Sequence, residues 1–231
     1  MDADLFSERM ARTARHLQDS HDDVQATFRS AVDVTQSHVD GCDAVGLTFV
    51  TGKRQVKTVA ATDGLALTAD ELQYALGEGP CLDAVWEHHV VRSADLEQDQ
   101  RWPSWGPRVV QDTRARSIMS FQLFTNQDLL GALNLYSKAR GAFDDSAFAE
   151  GLAIASHVSI AVAASQQIDT LTQGIASRTV IGQATGILME RYDLDAARAF
   201  TVMTRMSNQG NIKLRNLAQQ IVDHRAESTV P

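Results

Sequence analysis

The last third of the chain, SRTVIGQATGILMERYDLDAARAFTVMTRMSNQGNIKLRNLAQQIV at 177–222, has almost no breaker residues and no strand-like alternation. It reads as a compact set of helices. It holds no catalytic constellation, so it offers a surface rather than a pocket. Three apolar stripes run through it: Ile175, Ile181, Ala184 and Leu188, then Ala199, Phe200, Met203 and Met206, then Leu214, Leu217, Ala218, Ile221 and Val222. Asp195 is placed to cap the second helix and Asn211 the third. Three helices with one stripe each can bury them against one another. Gly182 and Gly186 each cost about 1 kcal/mol of helix propensity, so tight packing is expected there.

The period changes along the rest of the chain. The first 40 residues read as two helices, with Leu5, Met10, Ala14 and Leu17 on one stripe and Val24, Phe28, Ala31, Val32 and Val39 on the next. AVGLTFV at 44–50 and QVKTVAA at 55–61 are strand-like, joined through Thr51, Gly52 and Lys53. A helix follows at 67–76, then GEGPCLDAVW as a turn feeding a helix, then a short strand HHVVR. SIMSFQLF and LLGALNLYS form a last strand pair across Thr125, Asn126, Gln127 and Asp128. One antiparallel sheet of about five strands with helices against it accounts for this order, an α+β fold. From Asp144 the helical pattern hardly stops: Phe148, Leu152, Ala155, Val158 and Val162 recur at three and four residues, continuing loosely through Ile168, Leu171 and Ile175. A long helix, or two nearly collinear ones, is expected to join a first domain at 1–165 to a second at 166–231. Such a helix is a natural dimer stalk, although the repeat is irregular for a coiled coil.

Charge and cysteine usage exclude several classes. The formal charge of -8 argues against a general nucleic-acid coat, but it is unevenly placed. From Gln166 onward seven Lys or Arg stand against six acids, a net of +1, whereas the preceding residues carry 14 basic and 23 acidic groups, a net of -9. Cys42 and Cys81 form no CxxC pair and suit a reducing compartment. No apolar run approaches the roughly 20 residues of a membrane span, and the N-terminus lacks the layout of a signal peptide. A cytoplasmic protein without a membrane partner is expected.

Candidates for chemistry are few. His88 and His89 are adjacent on an expected strand and face opposite ways, which cannot put both on one metal. Cys81 opens a short helix whose dipole would lower its pKa, or else fills the core edge beside Leu82 and Val85. Trp86 and Trp102, with Trp105, either line a ligand pocket with Cys81 or anchor the long connection at 93–112. No nucleophile, base and electrophilic stabiliser assemble, so no enzyme activity and no cofactor or metal is expected. In the tail, Arg178, Arg191, Arg205, Lys213 and Arg215 lie off the apolar stripes. Each is either an ordinary surface charge or part of a phosphate clamp, with Asn208, Gln209 and Asn211 reaching exposed bases.

SRTVIGQATGILMERYDLDAARAF with MSNQGNIKLRNLAQQIV strongly resembles the ANTAR family, a three-helix RNA-binding output domain of bacterial transcription antiterminators, over about 168–222. The preceding part, with GEGPCLDAV and its helix-sheet-helix order, resembles a GAF sensor domain of the kind joined to this module in actinobacterial regulators. The resemblance implies a homodimer that binds nascent RNA carrying paired stem-loops, each with a hexanucleotide loop, and so disfavours a terminator hairpin. The family's recurring SR, GxxxGILM and KLR elements fall on Ser177-Arg178, the 182–189 segment and Lys213-Leu214-Arg215. Thr185 stands where relatives often carry lysine, and Arg198 where they often carry an acid that completes a capping box. A small-molecule or protein effector at the GAF-like domain is implied as well. The competing reading is a protein-interaction adaptor whose helical tail grips a partner helix.

Overall fold

The computed structural model describes residues 3–19, 23–51, 55–87, 89–125 and 129–227. His88, the turn residues Gly52, Lys53, Asn126, Gln127 and Asp128, and the side chain of Leu5 lie outside the described residues. Two compact units emerge, Met1–Gln167 and Ile168–Pro231.

The first unit opens with helices α1 (Ala3–Asp19) and α2 (Val24–His38), the second capped by Asp23, whose carboxylate accepts from the Gln25 amide. Strands β1 (Ala44–Thr51) and β2 (Gln55–Ala61) follow, then α3 (Gly64–Leu76), α4 (Pro80–Trp86), β3 (Val90–Ser93), α5 (Trp105–Thr113), β4 (Ser117–Phe124) and β5 (Leu129–Ser137). The strands form one antiparallel sheet in the order β2-β1-β5-β4-β3. Side chains alternate between its faces. Val45, Leu47, Met119, Phe121, Leu133 and Leu135 pack against Phe28 and Val32 of α2 and against Ile154, Val158 and Val162 of the helix that follows β5. Ala44, Ile118 and Tyr136 join Ala66 and Ala69 of α3, Ala84 of α4 and Trp105 and Val109 of α5 in a second core. Layers on both faces bury β5 almost completely, which explains its near-continuous apolar sequence.

Glycines permit two close approaches. A Cβ at Gly131 would lie 1.8 Å from the Thr48 carbonyl oxygen, so β1 and β5 meet there only because the side chain is missing. A Cβ at Gly46 would lie 2.4 Å from an oxygen of Asp70, so this glycine admits the carboxylate of α3 to the sheet.

Helix α6 (Asp145–Tyr192) is continuous over 48 residues. The sequence shows no apolar run near 20 residues, yet α6 contains a stretch apolar enough by length and composition to cross a membrane, 44% of it buried. The alanines and serines between its larger side chains hide this stretch from inspection.

In the second unit the end of α6 is joined by α7 (Ala196–Gly210) and α8 (Leu214–Glu227) around Ala184, Leu188, Ala199, Met203, Leu217 and Ala218. Asp195 caps α7 by accepting from the Arg198 amide at 2.8 Å, and its other oxygen lies 3.4 Å from Nε of Arg198. Several expectations need correction. Asn211 is the left-handed C-cap of α7, at φ 49°, rather than the start of the next helix. Gly182 and Gly186 face open space, so the small residue that allows close packing is Ala184. Ile175, Phe200 and Met206 are exposed rather than in the core.

Candidate functional site

Two places combine polar chemistry with a reason for its position. The first lies under α3 and α4, on the sheet face carrying Thr48, Ser120, Asn134 and Tyr136. Asp70 is fully buried there. One of its oxygens accepts from the Tyr136 hydroxyl at 2.6 Å and the Asn134 amide at 2.9 Å, and the other from Thr58 at 2.9 Å. Tyr74 bridges Thr48 and Thr58 at 2.7 and 2.9 Å, and Gln73 donates to Tyr136 at 3.0 Å. Every donor is neutral. Burial therefore pushes the carboxyl up from 3.8 to about 6, against the pull of those hydrogen bonds. Two polar atoms of the same sheet row, Asn134 Oδ1 and Ser120 Oγ, are buried without a partner. A fully buried acid without a cationic partner among the described residues, beside two unsatisfied polar atoms, is the polar centre of this face of the sheet.

Cys81 reaches this cluster but is no reactive thiol. Burial, with the charge of Asp70 behind it, pushes the thiol up to about 12, so of the two readings of Cys81 the core-filling one holds and the dipole-lowered one does not. Its amide donates to Gln73 Oε1 at 2.7 Å. Gly77, left-handed at φ 69°, ends α3 and lets GEGP turn directly into α4. Trp86 is half-buried and packs with Cys81, Val85 and Ala132. Trp102 is an anchor: it is 1% exposed, meets Trp105 edge-on at 5.9 Å and donates to Asp83 at 2.8 Å. Trp105 belongs to α5, a short helix within the long connection, ending on a non-glycine left-handed residue, Arg114. His89 bonds Gln122 at 2.8 Å.

Sequence spacing alone does not bring the acid cluster together. Its signal was present as polar residues in the middle of apolar strands, Ser120 in SIMSFQLF and Asn134 in LLGALNLYS.

The second place is the surface of the second unit. Arg178, Arg191, Arg205, Lys213 and Arg215 are all exposed, and among the described residues none has an ion-pair or side-chain hydrogen-bond partner. In the first unit Arg92, Arg101, Arg108, Arg116 and Arg140 pair with carboxylates, whereas Arg12, Arg15, Arg29 and Arg114 are exposed without such a partner among the described residues. Asn208, Asn211, Lys213 and Arg215 gather around the turn between α7 and α8, where the Asn211 amide bonds the Asn208 carbonyl at 3.3 Å. Arg205 sits one turn before Asn208 on α7. Arg178 and Arg191 lie about 20 Å apart along α6 by helical rise, so they cannot serve the same phosphate. Arg198 is held by Asp195.

A sheet domain with a buried polar cluster, joined in one chain to a helical unit with unpaired cations, is the layout of a sensor–output regulatory protein. The chain belongs to the GAF domain family, which it matches over residues 21–163, and residues 169–222 match the ANTAR domain. A GAF domain is a signal sensor and an ANTAR domain is an RNA-binding antitermination domain, so the protein is of that general kind. Among solved structures, the GAF domain from an Acinetobacter phosphoenolpyruvate-protein phosphotransferase aligns with a TM-score of 0.56 at 11% identity, covering 72% of this chain and 98% of that one. Free methionine-R-sulfoxide reductase from Neisseria meningitidis aligns with a TM-score of 0.57 at 18% identity, covering 72% and 93%. The Stigmatella aurantiaca phytochrome photosensory core module aligns with a TM-score of 0.57 at 12% identity, covering 87% and 44%. At such identities these likenesses show the fold alone. Comparison with curated proteins found no match.

Proposed function

We propose that the protein is a signal-responsive transcription antiterminator that binds paired stem-loops with hexanucleotide loops in nascent RNA. The observation that carries this reading is the match of residues 169–222 to the ANTAR domain, on a unit whose Arg178, Arg191, Arg205, Lys213 and Arg215 are exposed and have no carboxylate partner among the described residues. A cation without a carboxylate partner loses no ion pair when it takes a phosphate, and releases counterions from the RNA. The polar groups beside Lys213 and Arg215 then contact exposed loop bases.

The protein acts as a cytoplasmic homodimer of the kind found in actinobacterial regulators, without catalysis and without a membrane. Ile160, Leu171 and Ile175 are exposed along α6 at spacings of eleven and four, which suits pairing of two α6 helices. An effector bound at the Asp70 cluster, or a protein docked on the first domain, changes that pairing and brings two output domains to two RNA loops. The test is retention of a radiolabelled tandem stem-loop leader by the purified protein, compared with Arg215→Ala and with a scrambled-loop RNA. Weaker retention of both comparisons is expected. Equal retention of all combinations sinks sequence-specific binding through this face, and binding insensitive to salt points to a protein-interaction adaptor instead.

A further inference from the structure

A groove of about 400 Å³ opens in the second unit between the end of α6, α7 and α8. Its walls include Tyr192, Leu194, Val202 and Met206, with Arg191 and His224 at its edges and no carboxylate in its lining. The size falls within the roughly 300–1,000 Å³ of small-ligand sites. Tyr192 is 62% exposed and Met206 46%, so the walls are not closed by the chain's own core. Tyr192 is the last residue of α6, and the chain turns sharply after it through Asp193, at φ 51°, with the Leu194 amide bonded to the Met189 carbonyl at 3.1 Å. The aromatic ring is therefore attached to an anchored backbone.

Three features select the occupant. The exposed tyrosine ring offers a stacking face, the aliphatic walls suit a flat group of limited size, and an unpaired arginine without a nearby carboxylate in the lining favours a ligand that carries negative charge. A planar apolar face attached to a phosphate is a nucleotide. We infer that this groove receives one unstacked base of the bound RNA loop, with the base against Tyr192 and its phosphate toward Arg191. The inference rests on the RNA-binding reading and adds to it a base-specific subsite, distinct from the Lys213 and Arg215 turn.

The test uses the full chain. A radiolabelled pool of tandem stem-loops with randomised six-nucleotide loops is selected on the wild-type protein, and the best-retained RNA is remade with an abasic site at each loop position. Binding is measured for wild type, Tyr192→Ala and Tyr192→Phe. Stacking on an aromatic side chain contributes at least roughly fivefold in affinity. One abasic position should weaken wild type by that much, Tyr192→Ala should weaken the intact RNA equally, and the two together should lose no more than either alone. Tyr192→Phe should bind within about twofold of wild type. The inference is overturned if Tyr192→Ala binds like wild type, or if its loss multiplies with that of every abasic position. A pool from which wild type retains nothing overturns the RNA reading and this subsite together, whereas retention without coupling to Tyr192 removes the subsite alone.

Discussion

Asp70→Asn isolates the buried acid of the sensor domain. Asparagine keeps the shape, and its amide can donate to the hydroxyls of Thr58 and Thr48, which rotate to accept. The folded carboxyl titrates near 6 against 3.8 for the ordinary group, so the native state takes the proton more readily between those values. Wild-type stability therefore falls as pH rises through that window, and the gap corresponds to about 3 kcal/mol. Tyr74, Tyr136 and Cys81, the ionisable groups around Asp70, are all pushed upward by burial and stay neutral there. The variant should match wild type near pH 4 and exceed it by about 3 kcal/mol at pH 7. Trp86, Trp102 and Trp105 all belong to the first unit, so urea unfolding followed by tryptophan fluorescence reads that unit. A stability difference that is the same at every pH from 4 to 7 would show that the Asp70 carboxyl does not titrate in that window.

Other substitutions test the scaffold. Gly131→Ala drives a methyl into the Thr48 carbonyl and should cost at least the roughly 1–3 kcal/mol of overpacking, read as a lowered urea midpoint of the tryptophan transition. Met203→Ala empties a fully buried position of the helical unit and should cost about 2–5 kcal/mol, seen as earlier thermal loss of helix by circular dichroism. Asp195→Ala removes the α7 cap for about 1 kcal/mol and should speed hydrogen exchange at the Arg198 amide.

Periodicity made most of the architecture legible. The change from a repeat of two to one of three and four located the strands, the long helix and the three-helix tail, because burial on one face writes itself into spacing. Polar residues whose role depends on distant partners left no such trace. Asp70 reads as a surface acid of an amphipathic helix until Gly46, Thr58, Asn134 and Tyr136 are brought around it by the sheet. Trp102 and Trp105 could be pocket or anchor until their edge-on contact and the bond to Asp83 fixed the second role for Trp102. In the tail the basic residues were visible by type. That they lack partners depends on which carboxylates fold beside them.

Binding of structured RNA by the unpaired cations of the second unit has a direct electrostatic signature. The decisive measurement is the salt dependence of binding to the selected tandem stem-loop RNA, comparing wild type with Lys213→Ala and Arg215→Ala. A linear fall of log affinity with log salt is expected, with each substitution reducing the slope by about 0.7 to 0.9. A slope near zero, or slopes unchanged by both substitutions, would contradict it.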